Sequence, residues 1–495
     1  MKSGTLFQLI LKVLFVIILV GCSTQTNIST PSSEQPLSST TSTPEPVIIK
    51  FWEYFGGASG DFFDAEAALF HETYPWITVE VEHFPDRNAY REALTLSFES
   101  GNAPDVFLRR HSVDQMVENK WIQPLTPWIT DDWLARFPAN SFIETRNMWQ
   151  GEIYSFLTFA KSFPYILYIN EELFEKAGLV DDQGNVLVPQ TWGDVRSMAK
   201  QVTDAGDGEF YGIGLSVKDS RAMSWWFDLT MLAGAPGSPG FDYHSGQYAF
   251  GTHPAYGQII DLLLGMQEDG SVYPFEGTLD DSNIYTFFGQ GKYAMFMSGS
   301  YQVANLRRDY PEFTNYQIIP LPVPDDGRTG GLATIPTSHF FMTAQSQHPD
   351  EAWLWMDWVS SRGFHERMVS NGIGFSIYPD YNNEQTIPDS HMLQAYNATT
   401  AYVVYEPFPP AVTPQTALVS PESVVPDVGD VIIGIYTGQI EDWQGALEDL
   451  DAKKQAALET AIQEAQGNGI DVSIDNYIFP DWDPMQDYSP QFGGE

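Results

Sequence analysis

Two kinds of residue in this chain could do recognition chemistry: flat rings and planar cations set in predicted loops. Tyr54 follows a strand-like run, and Arg109 and Arg110 follow another. An aromatic face is rigid and electron-rich, suited to covering the C–H face of a polyhydroxylated ligand. A guanidinium presents a fixed fork of donors that suits vicinal hydroxyls or a carboxylate. The other reading for each arginine is an ion pair with one of many surplus acids. Gly330-Gly331 would let backbone amides approach a ligand closely, or serve as a hinge. Trp225-Trp226 are neighbours, so on a regular element they are not expected both to face a core. Phe408 is a further candidate, in the Pro-rich run Glu406-Pro407-Phe408-Pro409-Pro410.

Catalytic signatures are missing from the sequence. There is no nucleophile elbow, no His-x-x-x-His pair and no phosphate-binding loop. A glycosidase needs two carboxyl groups about 5–9.5 Å apart. With 65 acidic residues some pair always satisfies that on paper. The expectation is a binding protein without catalytic residues, metal or cofactor. The formal charge of −41, from 24 basic and 65 acidic residues, makes nucleic acid an unfavourable partner.

The elements that must position these residues read as α/β. Val47 to Trp52 is strand-like and is followed by the glycine-bearing turn Glu53 to Gly57. Asp61 to Tyr74 has helical spacing, Ile77 to His83 alternates with period two, Tyr90 to Ser100 is helical, and Asp105 to Leu108 is a short apolar run. In such sheets ligands sit beyond the carboxyl ends of the strands, which points at Glu53–Gly57 and Arg109–Ser112. A second series follows: strand Tyr165 to Asn170, helix Glu171 to Ala177 stopped by Gly178, and a helix capped by Thr191 with Asp194 in its first turn. Strand Tyr293 to Met297 and helices Glu351 to Ser360 and Ala446 to Gln466 come later. No repeat is visible.

The N-terminus carries its own chemistry. The apolar run Val13 to Gly21 is shorter than the about 20 residues of a spanning helix and fits the core of a signal peptide. It ends in Leu19-Val20-Gly21-Cys22, which resembles the lipobox of bacterial lipoproteins. That resemblance implies lipidation of Cys22, the only cysteine, so no internal disulfide forms. Residues 23–46, rich in Ser, Thr and Pro, read as a disordered tether.

In order along the chain, a series of short segments resembles the bacterial extracellular solute-binding proteins of the family that includes the maltose-binding protein. These include Ile49-Lys50-Phe51-Trp52, Ser100-Gly101-Asn102-Ala103-Pro104-Asp105-Val106, Leu167 to Leu179 (LYINEELFEKAGL), Pro189 to Val195 (PQTWGDV) and Phe288 to Ser300 (FGQGKYAMFMSGS). The resemblance implies the two-lobed, type II periplasmic-binding-protein-like α/β fold with a ligand cleft between the lobes. It implies an aromatic platform at Trp225 and Trp226, with lobe-surface packing as the other reading. It also implies a stacking ring at Tyr301, beside Ser300. The expected organisation is signal peptide 1–21 and tether 22–46. The N-terminal lobe would take 47–158 and 331–395, and the C-terminal lobe 159–330 and 396–495. The alignment beyond 375 is loose. The implied function is capture of a small solute, a sugar, by a monomer that delivers it to the permease subunits of an ABC transporter. The implied location is extracytoplasmic, lipid-anchored to the outer face of the cell membrane, or periplasmic where a second membrane exists. The alternatives are a sensor component feeding a signalling receptor and a secreted glycoside hydrolase.

Overall fold

Alternating apolar residues in Ile77–His83 produce a strand that pairs in parallel with Val47–Glu53, Val47 opposite Ile77 and Glu53 opposite His83. The structure, a computed structural model, describes residues 45–489 apart from 85, 238 and 239. The expected signal peptide, Cys22 and all but the last two residues of the expected tether lie outside the described residues. So does the end of the chain.

The first sheet has the order Phe340–Met342, Val106–Leu108, Val47–Glu53, Ile77–His83. Its three N-terminal strands are parallel, and the late strand Phe340–Met342 pairs antiparallel with Val106–Leu108. Crossover helices Gly57–Thr73 and Arg87–Ser100 connect the parallel strands. The first helix starts four residues earlier than periodicity suggests, because the left-handed backbone at Gly56 and Gly57 turns the chain immediately after the strand. The second is capped by Asp86, whose carboxylate accepts from the Ala89 amide at 2.7 Å, and is ended by Gly101 in the left-handed region.

The second sheet has the order Tyr316–Ile319, Tyr165–Asn170, Tyr293–Gly299, Tyr211–Ile213. Local capping fixes its helices. Asn170 caps Glu171–Lys176, and Thr191 and Asp194 form a reciprocal capping box at the start of Trp192–Gly206. Two large apolar clusters form, and the first also takes Tyr168, Phe296 and Tyr316 from one face of the second sheet. Phe51, Phe107, Phe340 and Trp355 fill the first, and Met295, Ile213, Phe174 and Trp226 the second. The long C-terminal helix Trp443–Gly467 adds a satellite cluster through Leu458, Ile462 and Ala465 against Phe241. The result is the two-lobed α/β fold.

The chain passes between the sheets several times. Phe159 bridges to Ser376 and Leu157 to Ser338, while Leu332–Thr334 pairs in parallel with Val403–Tyr405. Helix Ser390–Thr400 packs on the second sheet. Its Gln394 accepts from the Ile318 amide at 2.9 Å, and His391 stacks on Tyr316 with ring centroids 3.7 Å apart.

Candidate functional site

The carboxyl end of Val47–Glu53 is shaped by a buried acid. Glu53 is fully buried, and its carboxylate accepts from the Phe55 amide at 2.5 Å and the Gly56 amide at 3.3 Å while His83 Nδ1 lies 2.6 Å away. The loop therefore folds tightly and fixes Tyr54 and Phe55. They form one wall of a cleft of about 1000 Å³. Arg87 and Arg110 come from the same lobe. The opposite wall carries Arg221, Asp281, Ser300 and Tyr301, and Phe159, His339 and Tyr405 lie on its margins.

On the second lobe the polar groups are already organised. Asp281 accepts from Tyr301 Oη at 2.6 Å, from Ser298 Oγ at 2.7 Å and from Arg221 Nη2 at 3.2 Å. Its main-chain oxygen accepts from Gln302 Nε2 at 2.8 Å. Burial, with the Asp281 charge and hydrogen bond, pushes the Tyr301 phenol well up. Gly299 is required where the chain turns, since a Cβ there would lie 2.1 Å from the folded-back ring of Tyr301. Behind this wall Tyr165 stacks on Trp225 at 3.9 Å and 20°, and the Arg221 guanidinium sits 4.9 Å from the Trp225 ring. Asp228, at the end of the same helix, has its carboxyl pushed up to about 7 by burial.

On the first lobe the arginines dominate. The guanidinium carbons of Arg87 and Arg110 lie 5.7 and 5.0 Å from the centroid of the Tyr54 ring. Burial, helped by Arg109, Arg146 and Arg87, drags the His339 imidazole down to about 3, so it is neutral at pH 7.

Of the residues singled out from sequence, Tyr54, Arg110, Ser300 and Tyr301 are brought together in the cleft. The others lie elsewhere. The expectation that Trp225 and Trp226 could not both face inward is corrected: they are 3% and 4% exposed. Helix Ser220–Asp228 is covered on two sides, Trp225 facing Tyr165 and Trp226 the second-lobe core. Arg109 sits behind the cleft wall, its amide donating to the His339 carbonyl at 2.8 Å. Gly331 packs against strand Val403–Tyr405, where a Cβ would meet Val404 at 2.7 Å and the Tyr402 carbonyl at 2.8 Å. Phe408 lies under the Arg146 guanidinium at 4.4 Å. Sequence reading passed over Asp281, Arg221 and Arg87. The only available signals were the acidic turn Asp280-Asp281-Ser282-Asn283 and the helix start Asp86-Arg87-Asn88. Among the described residues no group of three or more metal-capable side chains converges, and no helix is long and apolar enough to cross a membrane.

Two α/β lobes facing each other across such a cleft match a known pattern. The profile of the bacterial extracellular solute-binding proteins fits residues 56–364. The chain belongs to that family. It is 23% identical over 412 residues to a protein of Brucella abortus (strain 2308) described as a binding protein, a match covering 82% of this chain and 91% of that one. It is 26% identical over 295 residues to the sn-glycerol-3-phosphate-binding periplasmic protein of Escherichia coli (strain K12), covering 57% of this chain and 62% of that one. Among solved structures, the GacH receptor of Streptomyces glaucescens GLA.O, determined unliganded and with acarbose, superposes with a TM-score of 0.63. It is 15% identical, and the match covers 85% of this chain and all of that one. This solute-binding protein therefore shares the two-lobed fold of sugar receptors.

Proposed function

We propose that this solute-binding protein captures a carbohydrate in its cleft and delivers it to the permease of an ABC importer. One observation carries the reading: a cleft of about 1000 Å³ whose two walls come from different lobes, with rings and pre-paired polar groups facing inward. That volume is at the upper end of the about 300–1000 Å³ of small-molecule sites, which favours more than one sugar ring. Phe159, Tyr301 and Tyr405 supply faces for C–H surfaces. Arg110, Arg221 and Asp281 supply edges for hydroxyls, in a site where a polar group left unpaired costs about 1–3 kcal/mol. The likeness to an acarbose receptor supports the same class.

In this reading the cleft binds and releases without bond chemistry. Ligand settles on one lobe and the other closes over it, the strands Leu332–Thr334 and Val403–Tyr405 and the strap at Phe159 acting as hinges. Ligand shifts the open–closed balance only by its extra affinity for the closed form. The lobes divide near 158, near 331 and before Ser390. The protein works as an extracytoplasmic monomer tethered through lipidated Cys22, which raises its concentration near the permease. A thermal-shift screen against neutral, acidic and phosphorylated sugars tests the class, since a ligand at a hundred times its dissociation constant adds about 2.7 kcal/mol. Small-angle scattering with the best ligand should show a smaller radius of gyration. If no sugar raises the melting temperature, the carbohydrate reading is wrong.

A further inference from the structure

We propose that the solute carries an anionic group, a carboxylate or a phosphate, received by Arg110 and Arg87 on the first-lobe wall. The inference rests on the carbohydrate-receptor reading and narrows it to an acidic sugar.

The argument starts from a mismatch between the chain and its cleft. With 65 acidic against 24 basic residues, any arginine has carboxylates to choose from. Seven take one: Arg136, Arg196, Arg221, Arg307, Arg308, Arg362 and Arg367 each hold an aspartate or glutamate within 3.3 Å. Six make no such pair among the described residues: Arg87, Arg91, Arg109, Arg110, Arg146 and Arg328. Arg146 is buried within the field of Glu406, and Arg328 lies over the Tyr402 ring and donates to the Gly330 carbonyl. The other four lie on the first lobe, around one strand end and one helix start, and of these Arg87 and Arg110 line the cleft.

The nearby acids are engaged elsewhere. Asp86 caps its helix on the Ala89 amide, and Glu53 is turned to the Phe55 and Gly56 amides and His83. Across the cleft, Asp280 and Asp281 already hold Lys218 and Arg221. The positive charge on the first wall therefore stands uncompensated.

The geometry also suits an oxyanion. Both guanidinium carbons lie near the Tyr54 ring, at 5.7 and 5.0 Å from its centroid, and both residues line the cleft. Arg110 Nε is shielded from solvent and has no hydrogen-bond partner. His339, beside them, has a buried Nδ1 without a partner and stays neutral, so it does not compete as a third cation. A guanidinium on the cleft wall that no carboxylate holds suits bidentate recognition of a carboxylate or phosphate.

Isothermal titration calorimetry on the purified protein tests this with three probes. They are neutral xylo- and malto-oligosaccharides, the same backbones bearing a uronic acid, and hexose phosphates with glycerol 3-phosphate. The expected result is that one acidic class binds at least about tenfold tighter than its neutral counterpart, and that 0.5 M salt shrinks the ratio. Arg110→Gln and Arg87→Gln should each pull that ratio towards one, while Arg110→Lys keeps part of it, having charge without the fork. A melting temperature measured for each variant separates lost folding from lost recognition. Uronate preference identifies a carboxylate ligand and phosphate preference a phosphorylated one. Neutral sugar binding as tightly as both acidic classes would overturn the anion inference and leave the carbohydrate reading standing. Binding of neither kind would remove the carbohydrate reading, and this inference with it.

Discussion

Asp281→Ala should loosen the cleft wall that carries Tyr301. The carboxylate receives three donors: the Tyr301 phenol at 2.6 Å, Ser298 Oγ at 2.7 Å and Arg221 Nη2 at 3.2 Å. Their environments weight the loss differently. Ser298 is fully buried, so its orphaned hydroxyl costs about 1–3 kcal/mol. The Arg221 side chain is 45% exposed, and solvent limits its loss to about 0.5 kcal/mol. The Tyr301 phenol borders the cleft and can find water there, at about 0.5 kcal/mol. The sum is about 2–4 kcal/mol, or about 4–16 °C in melting temperature for a lobe of this size. Asp281→Asn keeps one acceptor oxygen and should cost about half as much. Because Tyr301 loses its tether, affinity for the best ligand should fall about tenfold. Scanning calorimetry and titration calorimetry on Asp281→Ala, Tyr301→Phe and the double variant form a cycle. Coupling of about 0.5–2 kcal/mol is expected between the two sites. Additive effects, or an Asp281→Ala protein that melts within 1 °C of wild type, would show that the network does not hold the ring.

Other expectations concern pH and packing. Asp228 has a carboxyl raised to about 7 in the folded state by burial. A raised acid favours the fold below the unfolded-state value and weakens it as pH climbs from about 4 to 7. Asp228→Asn should therefore stabilise the protein at pH 8, by up to about 4 kcal/mol, and do nothing at pH 4; equal effects at both pH values would contradict this. Trp225→Ala removes the ring stacked on Tyr165 at 3.9 Å and should cost about 3–5 kcal/mol in thermal unfolding. Glu66, 2% exposed, takes Arg367 through two bonds of 2.6 and 2.7 Å and Trp358 Nε1 at 2.9 Å. Glu66→Ala strands both donors and should destabilise by about 3 kcal/mol; Glu66→Gln, which keeps acceptors, should lose less, and the reverse order would count against the pairing.

Particular elements show how far the sequence reached. Ile77–His83 matched to the residue, because period-two alternation is written in the chain itself. Thr191 matched as the N-cap with Asp194 in the first turn, because a cap needs only residues three positions apart, and the structure adds the reciprocal bond from Asp194. Tyr54 and Arg110 arrived at the cleft because loops at the carboxyl ends of parallel strands share one edge of the sheet. The tryptophan pair went the other way: adjacency says nothing about a helix covered on both sides, and Trp225 and Trp226 are both buried.

By itself, then, the sequence determined the alternation of strands and helices, the capped helix starts and the loops that could meet a ligand, since these depend on neighbours within about one helical turn. Which acid meets which base was decided only by tertiary structure. Asp281 lies 20 residues from Tyr301 and 60 from Arg221, and only the folded second lobe brings their side chains together. The bareness of Arg87 and Arg110 is likewise a tertiary fact. In a chain with 65 acids, an arginine without a carboxylate can be recognised only once every nearby acid is seen to be occupied elsewhere.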